Sequence, residues 1–295
     1  YEIMPSLVGS EMCIRDSMIT QLVKETVERE KLIEKNDSIL VALSGGADSL
    51  CLLDILIRLK EEYNLRLFAA HLDHMIRGTD AIRDALYCYD FCKKNEVTFF
   101  LKAVDIVKKA KEEFRGVEET ARTERYNMLF DIKQRLNIDK IAVAHNLDDQ
   151  AETILMKLMR GSGLQGLRGM DYKRDNIIRP LLDIYKSNIN KYCEENCLEV
   201  RIDKTNFEDK YTRNKIRLEL IPFIEKKYSA NIKKILSRTA NIIRDDHNYI
   251  AKVAKENYDL IKNTKNKDEL SIDIKLLENL DIAIKTRLIR LAIYD

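Results

Sequence analysis

The sequence lacks the features that would place it in a membrane or outside the cell. No apolar run approaches the roughly 20 residues of a membrane-spanning helix. No apolar stretch of the secretory-signal type opens the chain. None of its six cysteines forms a C-x-x-C motif, and four lie in C-x3-C pairs, a spacing that favours helix packing over a disulfide framework. These absences predict a cytoplasmic protein without a membrane partner, in reducing surroundings.

Glycine is also scarce. The chain has nine glycines, and none occurs between residues 170 and 295. The net charge of only +2 excludes an argument for nucleic-acid binding from overall charge, so any such argument must rest on a local patch. Glycine is therefore confined to a few turns in the first part of the chain, and these turns lie beside the candidate site segments.

The most informative turn is Ser44-Gly45-Gly46-Ala47-Asp48-Ser49. It follows the apolar run 39–43 and precedes the apolar segment 50–56, an order typical of strand, tight turn and helix. Two glycines allow the backbone to approach a ligand, and the free N–H groups of the next helix favour an anion. The pattern is neither the Walker loop, because no Gly-Lys-Ser/Thr follows, nor G-x-G-x-x-G. It predicts a phosphate-binding loop; the alternative is an ordinary strand-to-helix turn.

Alternating strands and helices occupy the first two thirds of the chain. We predict an α/β fold: a Rossmann-like parallel sheet with helices on both faces, followed by a smaller all-helical domain. The predicted strands are 39–43, 65–72, 97–104, 141–144 and 198–202. The predicted helices are 19–35, 48–62, 81–94, 116–136, 148–159 and 184–196. Ligands of such sheets bind beyond the carboxyl ends of the strands, where Ser44, His71 and His145 would lie.

Three segments follow from this pattern. Residues 1–17 differ in character from the rest and are predicted to be a non-native or disordered leader. Residues 18–217 form the predicted catalytic domain. Residues 218–295 form the helical domain, which stops within an apolar helical pattern and is therefore expected to be truncated.

A second informative stretch surrounds Asp149 and Glu152. These carboxylates are three residues apart at the predicted start of a helix, so they share one face. An acidic first turn is common and suits the helix dipole, which is the alternative interpretation. After a strand of a nucleotide-binding sheet, the same face suits a cation or a metal. Three glycines between residues 161 and 166 then indicate a loop that bends closely around a ligand.

Two further clusters carry histidine and arginine. Arg122 and Arg125 share a predicted helical face beside Tyr126, and the alternative is a solvated helix with a Glu118–Arg122 pair. His71 and His74 lie three residues apart, but no cysteine or histidine has the spacing to complete a zinc site, which we therefore do not predict.

A basic stretch follows the segments Asp203–Asn206 and Tyr211–Arg217. Between Lys210 and Arg238 nine Lys/Arg face two Glu, a local net charge of +7. Such a bias fits a phosphate backbone, with a solvated lysine-rich face as the alternative.

Taken in order, these motifs resemble those of the bacterial tRNA(Ile)-lysidine synthetases, members of the PP-loop ATP pyrophosphatase superfamily. The resemblance is carried by SGGADS, HLDHMIRG, GVEETARTERY, AHNLDDQAETILMKLMRGSGLQGL, IIRPLL and DKTN…YTRNKIR. The family uses ATP and Mg²⁺ to activate the wobble cytidine of a CAU-anticodon tRNA(Ile) through an adenylated intermediate, which free L-lysine then attacks with release of AMP. The resemblance thus implies a carbon–nitrogen ligase. It does not fix the oligomeric state, and a homodimer stays open.

The resemblance also implies roles for the matched positions. The ATP-binding residues would be Ser44, Gly45, Gly46, Ala47, Asp48, Ser49 and His71, with Asp48 holding Mg²⁺. The catalytic residues would be Asp48, Arg122, His145 and Asp149. Asp149 and Glu152 would bind lysine, and the tRNA-binding residues would be Arg125, Arg160, Arg213 and Arg217.

Two rival functions remain. One is a tRNA thiolase of the same superfamily, against which the absence of C-x-x-C counts because many thiolases use cysteine pairs to carry sulfur or a cluster. The other is a non-catalytic nucleotide-binding module, which would need the phosphate loop but neither the Asp149/Glu152 face nor the basic segment.

Overall fold

The structure is a computed structural model that describes residues 6–76, 78–201, 212–266 and 269–294. Its centre is a six-stranded sheet with the order β3-β2-β1-β4-β6-β5. Five strands are parallel, and the edge strand β5 runs antiparallel to β6. The strands are β1 Ser38–Ala42, β2 Arg66–Asp73, β3 Thr98–Ala103, β4 Lys140–Ala142, β5 Lys173–Arg174 and β6 Ile177–Ile178.

Helices connect these strands. They are α1 Ser6–Arg29, α2 Ala47–Arg58, α3 Lys60–Tyr63, α4 Thr79–Lys94, α5 Ile106–Glu112, α6 Val117–Arg135, α7 Leu147–Met159, α8 Leu164–Leu167 and α9 Lys186–Glu195. Helix α1 begins inside residues 1–17, so the backbone of residues 6–17 is helical; whether that segment is native remains a prediction.

The central strand shows why helices cover both faces. Ile39 and Val41 of β1 pack into one apolar cluster with α1, α2 and α9, whereas Leu40 between them packs with Met128 and Leu129 of α6 on the other face. Successive side chains of a strand point to opposite faces, and a parallel sheet buries both. The predicted α/β class is confirmed.

One predicted strand is wrong. Residues 198–201 are extended but belong to no sheet, and Ile202 lies outside the described residues. The reason is that this segment bonds to a turn instead of a strand, since the N–H of Arg201 donates to the carbonyl of Gly45 at 3.1 Å. Its apolar Leu198 and Val200 pack against the core of the α2 face, which accounts for their strand-like pattern.

The second part of the chain is helical, with one interruption. It comprises α10 Thr212–Lys215, a π-helical segment Ile216–Leu220, α11 Ile221–Lys227, α12 Ile232–Ile261, α13 Ile274–Glu278 and α14 Ile282–Tyr294. Strands β7 Lys262–Asn266 and β8 Glu269–Ile272 form an antiparallel hairpin between α12 and α13, so the region is not entirely helical. Helix α12 packs against α7 and α8, which brings this region beside the sheet.

Cysteine placement agrees with a packing role. Cys51, Cys88, Cys92 and Cys193 are buried and unpaired, and Cys197 is exposed. Within the described ranges, no helix has the length and apolar character that crossing a bilayer demands.

Candidate active site

The site lies at the point where the strand order reverses. The chain proceeds from β1 outward to β2 and β3, and then returns to β4 on the other side of β1. The segments that follow β1 and β4 therefore leave the same sheet edge side by side, the usual ligand position in such folds. Ser44 and His145 follow these two strands, as predicted.

The turn after β1 is organised by two serines. The Oγ of Ser49 accepts a bond from the N–H of Ser44 at 3.1 Å, lies 3.1 Å from the Oγ of Ser44 and donates to the carbonyl of Gly46 at 3.0 Å. Gly45 has φ +83°, a conformation that L side chains rarely adopt. Gly46 is the N-cap residue of α2, and no side chain caps the first N–H groups of that helix among the described residues. The turn thus presents the uncapped N-terminus of a helix, a geometry suited to phosphate.

Asp48, in the first turn of α2, has two partners from distant segments. Its Oδ1 accepts a bond from the Nδ2 of Asn146 at 3.0 Å, and its Oδ2 lies 2.7 Å from the Nζ of Lys186. Asn146 also caps α7 in a reciprocal pair of bonds with Asp149, each 3.1 Å long. These bonds join the turn after β1 to the start of α7.

The predicted acidic face of α7 exists, and two arginines cover it. The Nε of Arg217 lies 2.6 Å from Oε1 of Glu152, and its Nη2 lies 3.0 Å from Oε2. The Nε of Arg213 lies 2.8 Å from Oε2 of Glu152. Asp149 receives the same two guanidinium groups at 3.3 and 3.6 Å. Arg213 and Arg217, predicted to bind tRNA, therefore direct their charge to the carboxylates predicted to bind lysine.

Apolar packing sets this arrangement. Ile216 and Ile221 bury against Ala151 and Leu155 of α7, which places the π-helical segment alongside that helix. Arg217 lies within this segment, and π-helical turns often occur at functional sites.

Burial makes Asp149 unusual. Desolvation raises the pKa of this carboxyl to about 6, and the negative charge of Glu152 adds to the shift, although Arg213 opposes it. Glu152 has only 1% of its side chain exposed. Asp149 can therefore accept a proton near neutral pH, and the two carboxylates together can receive an ammonium group.

His145 lies among arginines. Desolvation, together with the charges of Arg179, Arg213, Arg122 and Arg125, lowers its pKa to about 3. Its buried Nδ1 has no partner in the described part of the structure. The imidazole is therefore neutral at physiological pH, and the surrounding guanidinium groups create a positive field that suits an anion.

The other predicted residues lie around this centre. The Nδ1 of His71, in β2, is 2.9 Å from the carbonyl of Leu43. Arg122 lies over the ring of Tyr126 at 5.4 Å, and Arg125 reaches to 3.5 Å from Nε2 of His74. Arg160 is exposed at the end of α7, where its backbone N–H donates to the carbonyl of Leu158.

Two other expectations concern metals and the basic stretch. Among the described residues no three His, Cys, Asp or Glu side chains are grouped so as to hold a metal ion. In the basic stretch, Lys233 lies 2.7 Å from Asp148 and 3.3 Å from Glu225, so it too is used internally. Asp203–Asn206 and Tyr211 lie outside the described residues.

The sequence analysis missed three basic residues at the site. Lys186 pairs with Asp48, and Arg201 lies over the ring of Tyr87 at 5.1 Å, next to Gly45. Arg179 is 7% exposed and donates to the carbonyl of Asp171 at 2.7 Å, while its Nε is unpaired. Only Arg179 had a signal, because it belongs to the IIRPLL motif; Lys186 and Arg201 lie outside the motifs that the sequence analysis named.

Comparisons with known proteins agree with this geometry. Residues 15–224 match the family model described as the PP-loop domain. The chain is 44% identical to a tRNA(Ile)-lysidine synthase of Clostridioides difficile over 92% of its own length and 59% of that protein. It is 43% identical to a tRNA(Ile)-lysidine synthase of Clostridium acetobutylicum over 94% of its own length and 60% of that protein. The chain thus spans about three fifths of these curated relatives.

A solved structure shares the fold. It is a U34-tRNA thiolase of Methanococcus maripaludis with its [4Fe-4S] cluster, with a TM-score of 0.62 at 18% identity over 78% of this chain and 80% of that one. At this identity the likeness concerns the fold alone.

Proposed function

The chain belongs to the PP-loop domain family, and from this premise we propose that it is an ATP-dependent carbon–nitrogen ligase. The reaction joins free L-lysine to the wobble cytidine of a CAU-anticodon tRNA(Ile) in the cytoplasm. The supporting observation is that one edge of the sheet combines a phosphate-type turn at Gly45 and Gly46 with the partly buried carboxylate of Asp149 and the buried carboxylate of Glu152. The curated relatives of C. difficile and C. acetobutylicum carry the name of this activity.

The chemistry needs an anion site and a cation site close together. The oxygen at carbon 2 of cytosine is a poor leaving group, and transfer of adenylate to it creates AMP as a good one, with pyrophosphate released. In our proposal the turn Ser44–Ser49 binds the pyrophosphate end of ATP, and His71 lies near the adenosine. Arg122 and His145 lie where the transferred phosphoryl group would be, in the positive field described above.

The second step needs an unprotonated amine. The ε-amino group of lysine has a reference pKa near 10.4, so it arrives as an ammonium. Asp149, whose pKa lies at about 6, can bind that ammonium as a carboxylate and accept its proton as attack begins. Glu152 would hold the same substrate with it. Arg213 and Arg217, already at these carboxylates, are placed to receive the carboxylate end of lysine.

Asp48 fits a magnesium ion that is shared with the substrate. Mg²⁺ is commonly held by one or two carboxylates together with substrate phosphates and water, and Asp48 supplies one carboxylate at the phosphate turn. When bound there, Mg²⁺ would offset the phosphate charge of ATP.

Binding of the tRNA would use exposed cations. Arg125 and Arg160 are exposed and are proposed to contact the tRNA backbone. Arg213 and Arg217 could do so only by giving up their carboxylate partners. The homodimer that the sequence left open is not needed for any of these contacts.

The assay measures AMP formation with ATP, Mg²⁺, labelled lysine and tRNA(Ile) bearing CAU. The matched control is the same tRNA with another first anticodon base. We expect AMP and labelled tRNA in equal amounts, and only with the CAU anticodon. AMP formation that depends on a sulfur donor would favour a thiolase, and bound ATP that stays intact with all substrates present would favour a nucleotide-binding module.

A further inference from the structure

The phosphate turn contains no cationic side chain of its own. The six residues Ser44–Ser49 include one acid and no base. A Walker loop, in contrast, carries a lysine within the turn that reaches the β- and γ-phosphates. A turn that binds the tail of ATP without such a lysine offers the phosphates backbone N–H groups and hydroxyls but no cation of its own.

A lysine reaches this turn from a remote part of the chain. Lys186 is the first residue of α9, 138 positions after Asp48, and its Nζ lies 2.7 Å from Oδ2 of Asp48. Its side chain is 38% exposed and that of Asp48 is 32% exposed, so both are partly accessible to solvent. The charged end of Lys186 thus lies in the first turn of the helix that follows the phosphate loop.

The backbone around Lys186 is firmly held. The N–H of Lys186 donates to Oδ2 of Asp148 at 2.9 Å, and the N–H of Leu147 donates to the carbonyl of Ile184 at 3.0 Å. These two bonds tie the start of α9 to the start of α7. The backbone of Lys186 therefore needs no rearrangement for its flexible side chain to serve the turn.

The energetic cost of moving that side chain is small. Half-exposed ion pairs contribute little to stability, because solvent screens them. A charge-assisted bond to a phosphate oxygen, which carries more negative charge than one carboxylate, outweighs that contribution.

We propose that Lys186 is a further ATP-binding residue, which pairs with Asp48 in the free protein and contacts the β- or γ-phosphate when ATP binds. The move also frees the Asp48 carboxylate for Mg²⁺. This inference rests on the proposed use of ATP, but not on lysine or tRNA as the other substrates. Lys186, on the later helix α9, would thereby perform the function that the lysine of a Walker loop performs within its own turn.

The test compares ATP, pyrophosphate and AMP binding by calorimetry, first in EDTA and then with Mg²⁺. The variants are Lys186→Met, Lys186→Gln and Lys186→Arg. The control is Lys191→Met, which removes a lysine of the same helix that pairs with Glu195 at 3.7 Å. For the Met and Gln variants we expect ATP and pyrophosphate binding to weaken about 10- to 100-fold, the loss of one charged hydrogen bond. AMP binding should stay within about twofold of the parent, as it lacks the phosphates that Lys186 would contact.

The outcomes separate this role from a structural one. Lys186→Arg should recover most of the ATP affinity, and Lys191→Met should bind all three ligands like the parent. Equal loss of ATP and AMP affinity, or unchanged ATP affinity in both neutral variants, would overturn the proposal. If the Met variant unfolds, the Gln and Arg variants carry the same comparison. A parent that binds ATP but ligates no lysine would reject the proposed function and leave the role of Lys186 standing.

Discussion

Arg217 and Glu152 form a two-bonded ion pair across 65 residues of sequence, with the Nε–Oε1 distance at 2.6 Å and the Nη2–Oε2 distance at 3.0 Å. Glu152 is 1% exposed, and Arg213 binds it as well. A carboxylate buried this deeply is tolerated only because it is paired. The pair joins α7 to the π-helical segment Ile216–Leu220.

Removal of this charge should cost more than removal of a surface charge. We expect Glu152→Gln to lower the free energy of unfolding by about 3–5 kcal/mol, because two guanidinium groups lose their buried partner. The control is Asp131→Asn, which breaks the exposed pair of Asp131 with Arg135 at 2.8 Å and should cost at most about 1 kcal/mol. Urea unfolding followed by circular dichroism measures both, and equal losses would contradict the structural role of Glu152.

Asp149 should be needed for lysine and dispensable for ATP. Asp149→Asn keeps the size of the side chain but removes the charge that would bind and deprotonate the ammonium. We expect lysine-dependent turnover to fall at least about 100-fold, within the range of general-base effects, while ATP affinity stays near that of the parent. The AMP-release assay measures turnover and calorimetry measures ATP affinity. Turnover equal to that of the parent would reject this role of Asp149.

The raised pKa of Asp149 also predicts a pH dependence. Turnover of the parent should rise with pH through about 6, as the carboxyl ionises. Stability should change in the opposite direction. The folded state holds the proton of Asp149 more tightly than the unfolded state, so the contribution of Asp149 to the free energy of unfolding falls as the pH rises from about 4 to 6. Unfolding free energies of the parent and Asp149→Asn across this range should differ in slope, and parallel curves would argue against a raised pKa.

The contribution of His145 to stability should depend on pH in the opposite direction from that of Asp149. Its folded pKa of about 3 lies below the unfolded value, so its neutral form stabilises the fold above pH 6.5 and this contribution declines as the pH falls toward 3. His145→Gln should therefore lose less stability than the parent between pH 7.5 and 5, by on the order of 1 kcal/mol. Thermal unfolding at the two pH values gives the comparison, and identical declines would refute the depressed pKa.

Gly45 should tolerate no side chain. Its φ of +83° is strained for any L residue, and a Cβ would lie 3.3 Å from the Sγ of Cys88. We expect Gly45→Ala to cost about 1–2 kcal/mol and to weaken ATP binding, since the turn would change shape. Gly116→Ala is the control, because its φ is −67° and a Cβ there meets nothing within 4 Å. Equal ATP affinity for the two variants would contradict the importance of the turn geometry.

The sequence predicted those features that depend on residues close to one another in the chain. The turn at Gly45 and the Asp149/Glu152 face follow from neighbouring residues, and strand–helix alternation predicted the parallel sheet. The partners of these groups could not be predicted in the same way. The residues beside Lys186 and Arg217 do not indicate the partners of these two side chains, which lie 138 and 65 positions away in the sequence. The prediction of a strand at 198–202 was wrong for the same reason, because this segment bonds to the turn at Gly45, which lies far away in the sequence.

These long separations have a consequence for synthesis on the ribosome. The chain emerges from its N-terminus, so Asp48 and Glu152 are made well before Lys186 and Arg217. A nascent chain halted after α7 would hold Asp48 and Glu152 without the cations of Lys186 and Arg217. We therefore expect stalled chains to acquire protease resistance and ATP affinity together, in one late step, once residue 217 has left the exit tunnel.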